Sequence, residues 1–258
     1  MTPLSAAGDP GRFGGKAAHL AAAREAGLPV PDGWALGWGE VEALILQETC
    51  GLEVEAAVRA AVSGRGPVAV RSSAVGEDSQ DASFAGTHLT VLGLVGGDAV
   101  IDAVRKVHAS AVDPGALAYR EKLAIGGAIR MGVVVQEMVD ADVAGVLFTR
   151  DPLTGADGLV IEASWGLGEA VVSGLVTPDH VRADPDGRVL ERVIGEKDIA
   201  IRLTRHGATE KTAVPPDLAV LPCLGDDKVQ ALCRLVRACD DAYADTAHDI
   251  EFAFTGES

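Results

Sequence analysis

A strand that runs directly into a polar, glycine-containing loop, residues 67 to 92, constrains the fold more than any other stretch of this chain. Its sequence is PVAVRSSAVGEDSQDASFAGTHLTVL. Val68 and Val70 alternate with Arg71, which predicts a short strand ending at Arg71, with the guanidinium on the face opposite the valines. Small side chains let backbone N–H groups approach an anion, and arginine adds a fork of charged donors. The stretch therefore predicts a loop that binds a polyphosphate.

A second interpretation of the same residues is a polar hairpin turn. Ser72 and Ser73 then begin the turn, and Arg71 forms a salt bridge with Glu77 or Asp78 instead of binding a ligand. Taken alone, this stretch favours neither interpretation over the other.

Composition limits the classes of ligand. The chain has 258 residues, enough for one large domain or two lobes, and its 48% hydrophobic content is that of an α/β or α+β protein. It carries 22 Lys and Arg residues against 38 Asp and Glu residues, a net charge of −16. So acidic a chain is unsuited to nucleic acid or an anionic membrane as its main partner. An anionic ligand would need a local basic pocket.

Neither a signal peptide nor a membrane span is expected. Residues 1–3 lead into no basic and apolar signal segment, and no apolar run approaches membrane-spanning length. The four cysteines lack CxxC spacing, which argues against zinc. Cys233 and Cys239 are expected to be reduced, in a helix of a cytoplasmic protein.

Residues 14–31, GGKAAHLAAAREAGLPVP, predict a glycine turn, a helix and a stop at Gly27. Lys16 then lies at the start of the helix, where free N–H groups attract an anion. A lysine there is unfavourable unless something negative binds beside it, which is a hint of function. A solvated lysine on a short helix is the alternative.

The middle of the chain predicts buried strands. Residues 131–139, MGVVVQEMV, form a nearly continuous apolar run in which the side chains of Gln136 and Glu137 need partners. An adenine edge would supply donors and acceptors to Gln136, whereas Glu137 could reach solvent at the strand's end. Residues 142–155 predict a strand ending in a DPLTG turn. Residues 158–180 predict a strand, the glycine loop WGLGE and a short helix.

The last third predicts strands over residues 181–203, an exposed loop over residues 204–216 and an amphipathic helix over residues 226–243. In the final strand, DIEFAF, Asp249 and Glu251 share the polar face. Carboxylate oxygens are the ligands that Mg²⁺ prefers. An edge strand with a solvated acidic face is the alternative interpretation.

Other charged side chains are open candidates. Glu162 and Glu169 could contact a metal ion or a ribose, although burial beside an arginine accounts for them equally well. Lys197 and Arg202 could face phosphates, but nothing in the local pattern favours that role.

These segments together resemble the N-terminal nucleotide-binding domain of the pyruvate phosphate dikinase, phosphoenolpyruvate synthase and rifampin phosphotransferase group. The resemblance is carried by GGKAAHLAAAREAGLPVPDG, VAVRSSAVGEDSQDASFAGT, GVLFTRDPLTG, WGLGEAVVSGLVTPD and DIEFAF. It implies an α+β ATP-grasp fold, a single nucleotide-binding domain over residues 1–258, with approximate lobes 1–130 and 131–258 and the nucleotide between them. Enzymes of this group first move a phosphoryl group from ATP to a histidine.

The resemblance also implies roles for individual residues. Lys16 and Arg71 are expected to bind ATP and act in catalysis by neutralising phosphate charge, and a loop through Gly86 and Thr90 to cover the phosphates. Gln136 is expected to contact the adenine.

ATP and Mg²⁺ are the cofactors that the resemblance implies, with Glu251 and, beside it, Asp249 as the metal ligands. The family's LQxRP-type return segment, its GGxxSH-like phosphohistidine segment and its final substrate domain are not found in this sequence. The phosphoryl acceptor is therefore expected on a separate phosphohistidine-bearing domain or chain. The alternatives are a regulatory module that binds ATP without turnover, a truncated family fragment that is inactive alone, and a small-molecule kinase, and the final acceptor stays open.

Overall fold

The structure is a computed structural model and describes residues 1–47, 49–76, 89–113, 129–152, 155, 157–243 and 247–256. The chain divides into two compact units. Unit 1 comprises Met1–Met138 with His206–Ala208, and unit 2 comprises Val139–Arg205 with Thr209–Ser258. The strand that begins at Met131 pairs within the sheet of unit 1.

Unit 1 is built on a five-stranded antiparallel sheet. Its strands are β1 (Thr2–Pro3), β2 (Gly33–Leu36), β3 (Val68–Ala74), β4 (Thr90–Leu94) and β5 (Met131–Glu137). They lie in the order β1–β2–β5–β3–β4. The helices described in this unit are α1 (Pro10–Phe13), α2 (Gly15–Glu25), α3 (Trp38–Leu46), α4 (Thr49–Val62) and α5 (Gly97–Ala111), with a 3₁₀ turn at Leu4–Ala6.

The two faces of this sheet have different coverings, because successive side chains of a strand point to opposite faces. The first face packs on α3, α4 and α5 through a core that includes the buried valines Val68, Val70, Val133 and Val135. The second face is covered in part by the N-terminal segment, where Val134 packs with Phe13 and Ala17. The polar side chains of Arg71 and Gln136 also lie on this second face.

Unit 2 contains two sheets. Its strands are β6 (Val143–Arg150), β7 (Asp157–Trp165), β8 (Asp179–Ala183), β9 (Val189–Val193), β10 (Ile199–Leu203), β11 (Thr209–Ala213) and β12 (Asp249–Phe254). The larger antiparallel sheet has the order β12–β6–β7–β8–β9, and β10 pairs with β11 alone. The described helices are α6 (Glu169–Val172), α7 (Pro216–Ala219) and α8 (Asp226–Ala242).

Helix α8 covers one face of the larger sheet, as its amphipathic pattern predicts. Val229, Leu232 and Val236 are buried there, in one apolar core with side chains of β6, β7, β8 and β12. Cys233 and Cys239 lie buried in α8, and the four cysteines of the chain are free thiols. The opposite face of the sheet carries the acidic residues of β12.

The α+β architecture predicted from the sequence is confirmed, and two local predictions were wrong. Strand β3 does not end at Arg71 but continues to Ala74, because Ser72 and Ser73 pair with β5. The loop predicted over residues 204–216 contains β11, whose residues pair with β10. The sequence also predicts a helix over residues 114–124, and these residues lie outside the described part of the chain. No helix among the described residues is long and apolar enough to cross a membrane.

Candidate nucleotide-binding site

Arg71 and Gln136 lie side by side on the second face of the sheet in unit 1. Ala69 is the register partner of Gln136 in the antiparallel pair of β3 and β5, which places Arg71 on the same face, two residues along. The Arg71 Nη1 lies 3.4 Å from the Gln136 Oε1, and the Gln136 Nε2 lies 3.5 Å from the carbonyl oxygen of Pro31. Gln136 is only 7% exposed, and these two contacts hold its buried side chain in place. Its amide keeps one N–H donor and one acceptor lone pair for a ligand.

Lys16 is brought to the same strand by the start of α2. It is the second residue of the helix, and its Nζ donates to the carbonyl oxygen of Ser72 at 3.2 Å. Because Ser72 follows Arg71 directly, the ammonium and guanidinium groups belong to one short stretch of structure. The prediction that Lys16 lies at the start of a helix is confirmed, and the carbonyl oxygen that it contacts belongs to the residue next to Arg71.

The close approach of α2 to β3 depends on glycine. Gly14, the residue before the helix, has φ of 85°, and a Cβ at this position would lie 1.9 Å from the Ser73 carbonyl oxygen. Ala17, in the first turn, donates its N–H to the Ser73 Oγ at 3.0 Å. The N-terminal end of α2 is therefore capped by Ser73, a residue of β3.

Two further predicted ligands concern the loop between β3 and β4. Thr90 is the first residue of β4 and the register partner of Arg71, where it is half-buried. Gly86 lies outside the described residues, as do Glu77 and Asp78, the proposed salt-bridge partners of Arg71. Glu137 points elsewhere and pairs with Arg65 at 3.0 Å, in agreement with the solvent alternative for this residue. Lys16, Arg71, Thr90 and Gln136 are therefore brought together in unit 1.

In unit 2, the two predicted metal ligands share one face of β12. Asp249 and Glu251 are exposed, whereas Phe252 on the other face is buried. The strand is at the edge of its sheet and pairs with β6. Although Asp249 is exposed, neighbouring protein atoms partly shield its carboxyl from water and raise its pKa above the ordinary value, and the neighbouring His248 opposes that rise.

Glu169, the first residue of α6, is a third carboxylate that interacts with this group. Burial raises the pKa of Glu169, and the negative charge of Glu251 raises it further. Glu162 lies in the same cross-strand row as Glu251, with Val146 between them, and its Oε1 is 3.8 Å from the His180 Nδ1. Two carboxylates that repel each other are a favourable place for a cation.

The donor set fits a hard cation that keeps other ligands. Within the part of the chain that the structure describes, no group of three or more His, Cys, Asp or Glu side chains is arranged to hold a metal ion by itself. Mg²⁺ is commonly held by one or two carboxylates together with water and substrate phosphates. Glu251 with Asp249 or Glu169 has this character.

Lys197 has a structural position that the sequence did not reveal. It is 0% exposed, and its Nζ donates to the Asp179 Oδ1 and, at 3.2 Å, to the Gly195 carbonyl oxygen. Asp179 also accepts from the N–H groups of Gly195 at 2.9 Å and Cys223 at 2.8 Å. Lys197 is therefore an internal ion-pair partner and does not face phosphates.

A mixed fold, a basic and polar site beside a glycine-capped helix and a carboxylate pair on a separate unit are together typical of a nucleotide-binding domain. The family described as the pyruvate phosphate dikinase AMP/ATP-binding domain matches residues 38–258. The chain belongs to this family and is an ATP-binding domain of the dikinase type.

The named relatives include a phosphoenolpyruvate synthase and a rifampicin phosphotransferase, two groups expected from the sequence motifs, and a further transferase. A probable phosphoenolpyruvate synthase of Methanothermobacter thermautotrophicus is 47% identical over 72% of this chain and 27% of its own length. The prodigiosin synthesizing transferase PigC of Serratia marcescens is 36% identical over 95% of this chain and 30% of its own length. A rifampicin phosphotransferase of Bacillus cereus is 36% identical over 74% of this chain and 22% of its own length. The chain thus spans less than a third of these relatives.

Proposed function

We propose that this chain binds Mg-ATP and donates a phosphoryl group to a histidine on a separate domain or chain. The observation that carries the proposal is the bond from Lys16, on α2, to the carbonyl oxygen of Ser72, the residue next to Arg71 in β3. The amide of Gln136 lies beside Arg71. Phosphoryl transfer depends mainly on positioning and on neutralising charge. A paired ammonium and guanidinium supply the second of these.

The phosphates would contact Lys16 and Arg71. Arginine presents a planar fork that suits phosphate oxygens, and lysine adds a compact charge. The Lys16 Nζ donates to the Ser72 carbonyl oxygen, and an ammonium has further N–H groups for a phosphate. Thr90, opposite Arg71 on β4, and Gly86 on the preceding loop would complete the phosphate contacts.

The adenine would contact Gln136. An amide offers a donor and an acceptor, which matches the adjacent amino group and ring nitrogen of adenine. Because Arg71 and Pro31 already fix this amide, its remaining donor and acceptor have a defined direction. A fixed amide binds a base more tightly than a mobile one, since little rotamer entropy is lost on binding.

Glu251, with Asp249, would hold the Mg²⁺ of the nucleotide. When bound, the ion would neutralise negative charge on the phosphates. The side chains of this chain would orient the ion through their carboxylate oxygens. The charge repulsion between Glu251 and Glu169 would be relieved at the same time.

The nucleotide site is tested by calorimetric titration of the protein with ATP in the presence of Mg²⁺. Arg71→Ala removes charge-assisted hydrogen bonds worth roughly 1.5–3 kcal/mol, so the affinity should fall about ten- to one-hundredfold. Arg59→Ala is the matched control, because Arg59 lies on α4 and pairs with Glu55 and Asp98. Equal affinities for the Arg71→Ala and Arg59→Ala proteins would contradict the site.

The metal site is tested in the same titration with and without Mg²⁺. Glu251→Gln should remove most of the gain in affinity that Mg²⁺ gives the wild-type protein. Glu191→Gln is its control, since Glu191 is exposed on β9 and pairs with Arg182. An undiminished Mg²⁺ effect in the Glu251→Gln protein would rule out this ligand.

The transfer step is tested by adding a protein that carries a phosphohistidine domain to the ATP-bound chain. Phosphorylation of that protein on histidine, with AMP and inorganic phosphate released as the final products of ATP, supports the dikinase proposal. Binding of ATP with no transfer to any such acceptor would instead support a module that binds ATP without turnover. Release of ADP to a small-molecule acceptor would support a direct kinase.

A further inference from the structure

We infer that Ser73 is a positioning residue for Lys16: its hydroxyl caps the start of α2 from inside the sheet and fixes the lysine beside Arg71. This inference rests on the proposed nucleotide site and adds a residue to it. Ser73 itself is 0% exposed, so it acts through the helix and does not touch the nucleotide.

Ser73 caps the N-terminal end of α2. The N–H groups in the first turn of a helix have no partner within the helix, and a side-chain oxygen normally accepts one of them. The residue that precedes α2 is Gly14, which has no side chain to do this. Ser73 takes over the task from β3, accepting from the Ala17 N–H at 3.0 Å. The residue that receives this bond is the one directly after Lys16.

The backbone of the turn before α2 has little room to move. A Cβ at Gly14 would lie 1.9 Å from the Ser73 carbonyl oxygen, and a Cβ at Gly132 would lie 2.4 Å from the Phe13 carbonyl oxygen. The backbone of the turn before α2 thus touches both β3 and β5. Within this contact the Ser73 hydroxyl provides the directional bond that sets the rotation of the first helical turn.

Lys16 and the Ser73 cap contact neighbouring residues of the same strand. The Lys16 Nζ donates to the carbonyl oxygen of Ser72, which lies between Arg71 and Ser73 in β3. Ser73 therefore attaches α2 to the same strand that carries Arg71, through the backbone of the helix, while Lys16 is attached through its side chain. Loss of the hydroxyl should let the first turn fray and the ammonium move away from Arg71.

The neighbouring serine provides a matched control. Ser72 is 1% exposed, and among the described residues its Oγ has no hydrogen-bond partner. Ser72→Ala removes a buried hydroxyl of the same size from the same strand and keeps the carbonyl oxygen that Lys16 uses. Removal of an unpaired buried hydroxyl should not weaken the fold.

The experiment measures ATP affinity by calorimetry in the Ser73→Ala and Ser72→Ala proteins, each with Lys16 present and with Lys16→Ala. We expect Ser73→Ala to weaken binding about five- to tenfold, the range of a lost helix cap. Ser72→Ala should leave the affinity unchanged, and Ser73→Thr, which keeps a hydroxyl, should restore most of it. In the Lys16→Ala background the effect of Ser73→Ala should disappear, a result that a general loss of stability would not produce.

Equal affinity of the Ser73→Ala and Ser72→Ala proteins, or an undiminished Ser73→Ala effect without Lys16, would overturn the inference. If Ser73→Ala does not give folded protein, Ser73→Cys replaces it in the same comparison, because a thiol of similar shape is a weak acceptor. If the wild-type protein binds no ATP, the proposed function fails and the inference with it. If the wild-type protein binds and only the Ser73 comparison fails, the proposed function stands.

Discussion

The buried ion pair of Asp179 and Lys197 gives a prediction whose magnitude follows from the structure. We expect Asp179→Asn to be strongly destabilising, although the substitution hardly changes the size of the side chain. Lys197 is 0% exposed and Asp179 is 1% exposed, so the ammonium would be left in the interior without a negative partner. The Gly195 carbonyl oxygen, 3.2 Å away, is the neutral acceptor that would remain.

Removal of one partner of a buried ion pair costs about 3–5 kcal/mol, because the remaining charge is uncompensated. The asparagine oxygen can still accept from the Gly195 or the Cys223 N–H group, but the amide nitrogen would face the other N–H group, and the loss of that bond adds to the cost. We therefore expect a loss of about 4 kcal/mol, which is a large part of a typical stability of 5–15 kcal/mol. With a urea slope of about 2 kcal/mol per molar, the midpoint would fall by about 2 M.

The assay is urea unfolding, followed by circular dichroism, of Asp179→Asn, Lys197→Met and the double variant. Lys197→Met should cost less than Asp179→Asn, about 2 kcal/mol, since two backbone N–H groups still solvate the carboxylate. The double variant removes both charges and should be no less stable than Lys197→Met. The two single losses together, about 6 kcal/mol, would then exceed the loss in the double variant by about 4 kcal/mol or more.

Additive effects, within about 0.5 kcal/mol, would refute the reasoning, because independent sites behave in that way. So would a loss below about 1 kcal/mol for Asp179→Asn, the value expected of an exposed pair. ATP affinity should be unchanged in folded Lys197→Met protein. A specific loss of ATP binding in that variant would return Lys197 to the nucleotide site.

The remaining predictions concern the acidic group, the glycine turn and the thiols. Glu169→Gln should stabilise the protein at neutral pH in the presence of a chelator. The pKa of the Glu169 carboxyl is raised in the folded state, so ionisation of this carboxyl lowers the stability of the protein as pH rises through that pKa. The gain should vanish below about pH 4, where the carboxyl is protonated in both states; equal gains at both pH values would contradict it. Gly14→Ala should cost more than about 2 kcal/mol in thermal or urea unfolding, whereas Gly64→Ala, with open space around its Cβ, should cost about 1 kcal/mol. Cys50 is exposed and the other three cysteines are buried with raised pKa values, so one thiol should react rapidly with an aromatic disulfide in the native protein; rapid reaction of more would contradict the fold.

The features predictable from the sequence were those that a local period decides. The alternation at Val68 and Val70 places Arg71 on the opposite face, and the two carboxylates of β12 share a face for the same reason. Lys16 at a helix start followed from two glycines and an alanine-rich run. Each of these depends on residues a few positions apart.

Other features depend on partners distant in the chain. The pattern around Lys197 gives no sign of its bond to Asp179, because the partner lies 18 residues away and both are polar. The residues of β11, TEKTA, lack apolar alternation because none of them is buried, and so they resembled a loop. Ser73 resembled a loop residue for a similar reason: its cap is made to a helix 56 residues earlier.

The nucleotide's own position tests the central claim most directly. A crystal structure of the protein with Mg²⁺ and a non-hydrolysable ATP analogue would provide it. We expect phosphate oxygens within hydrogen-bond distance of the Lys16 Nζ and the Arg71 guanidinium, and the adenine in contact with the Gln136 amide. A nucleotide bound with its phosphates away from both cations, or no nucleotide at saturating concentration in a well-ordered crystal, would contradict it.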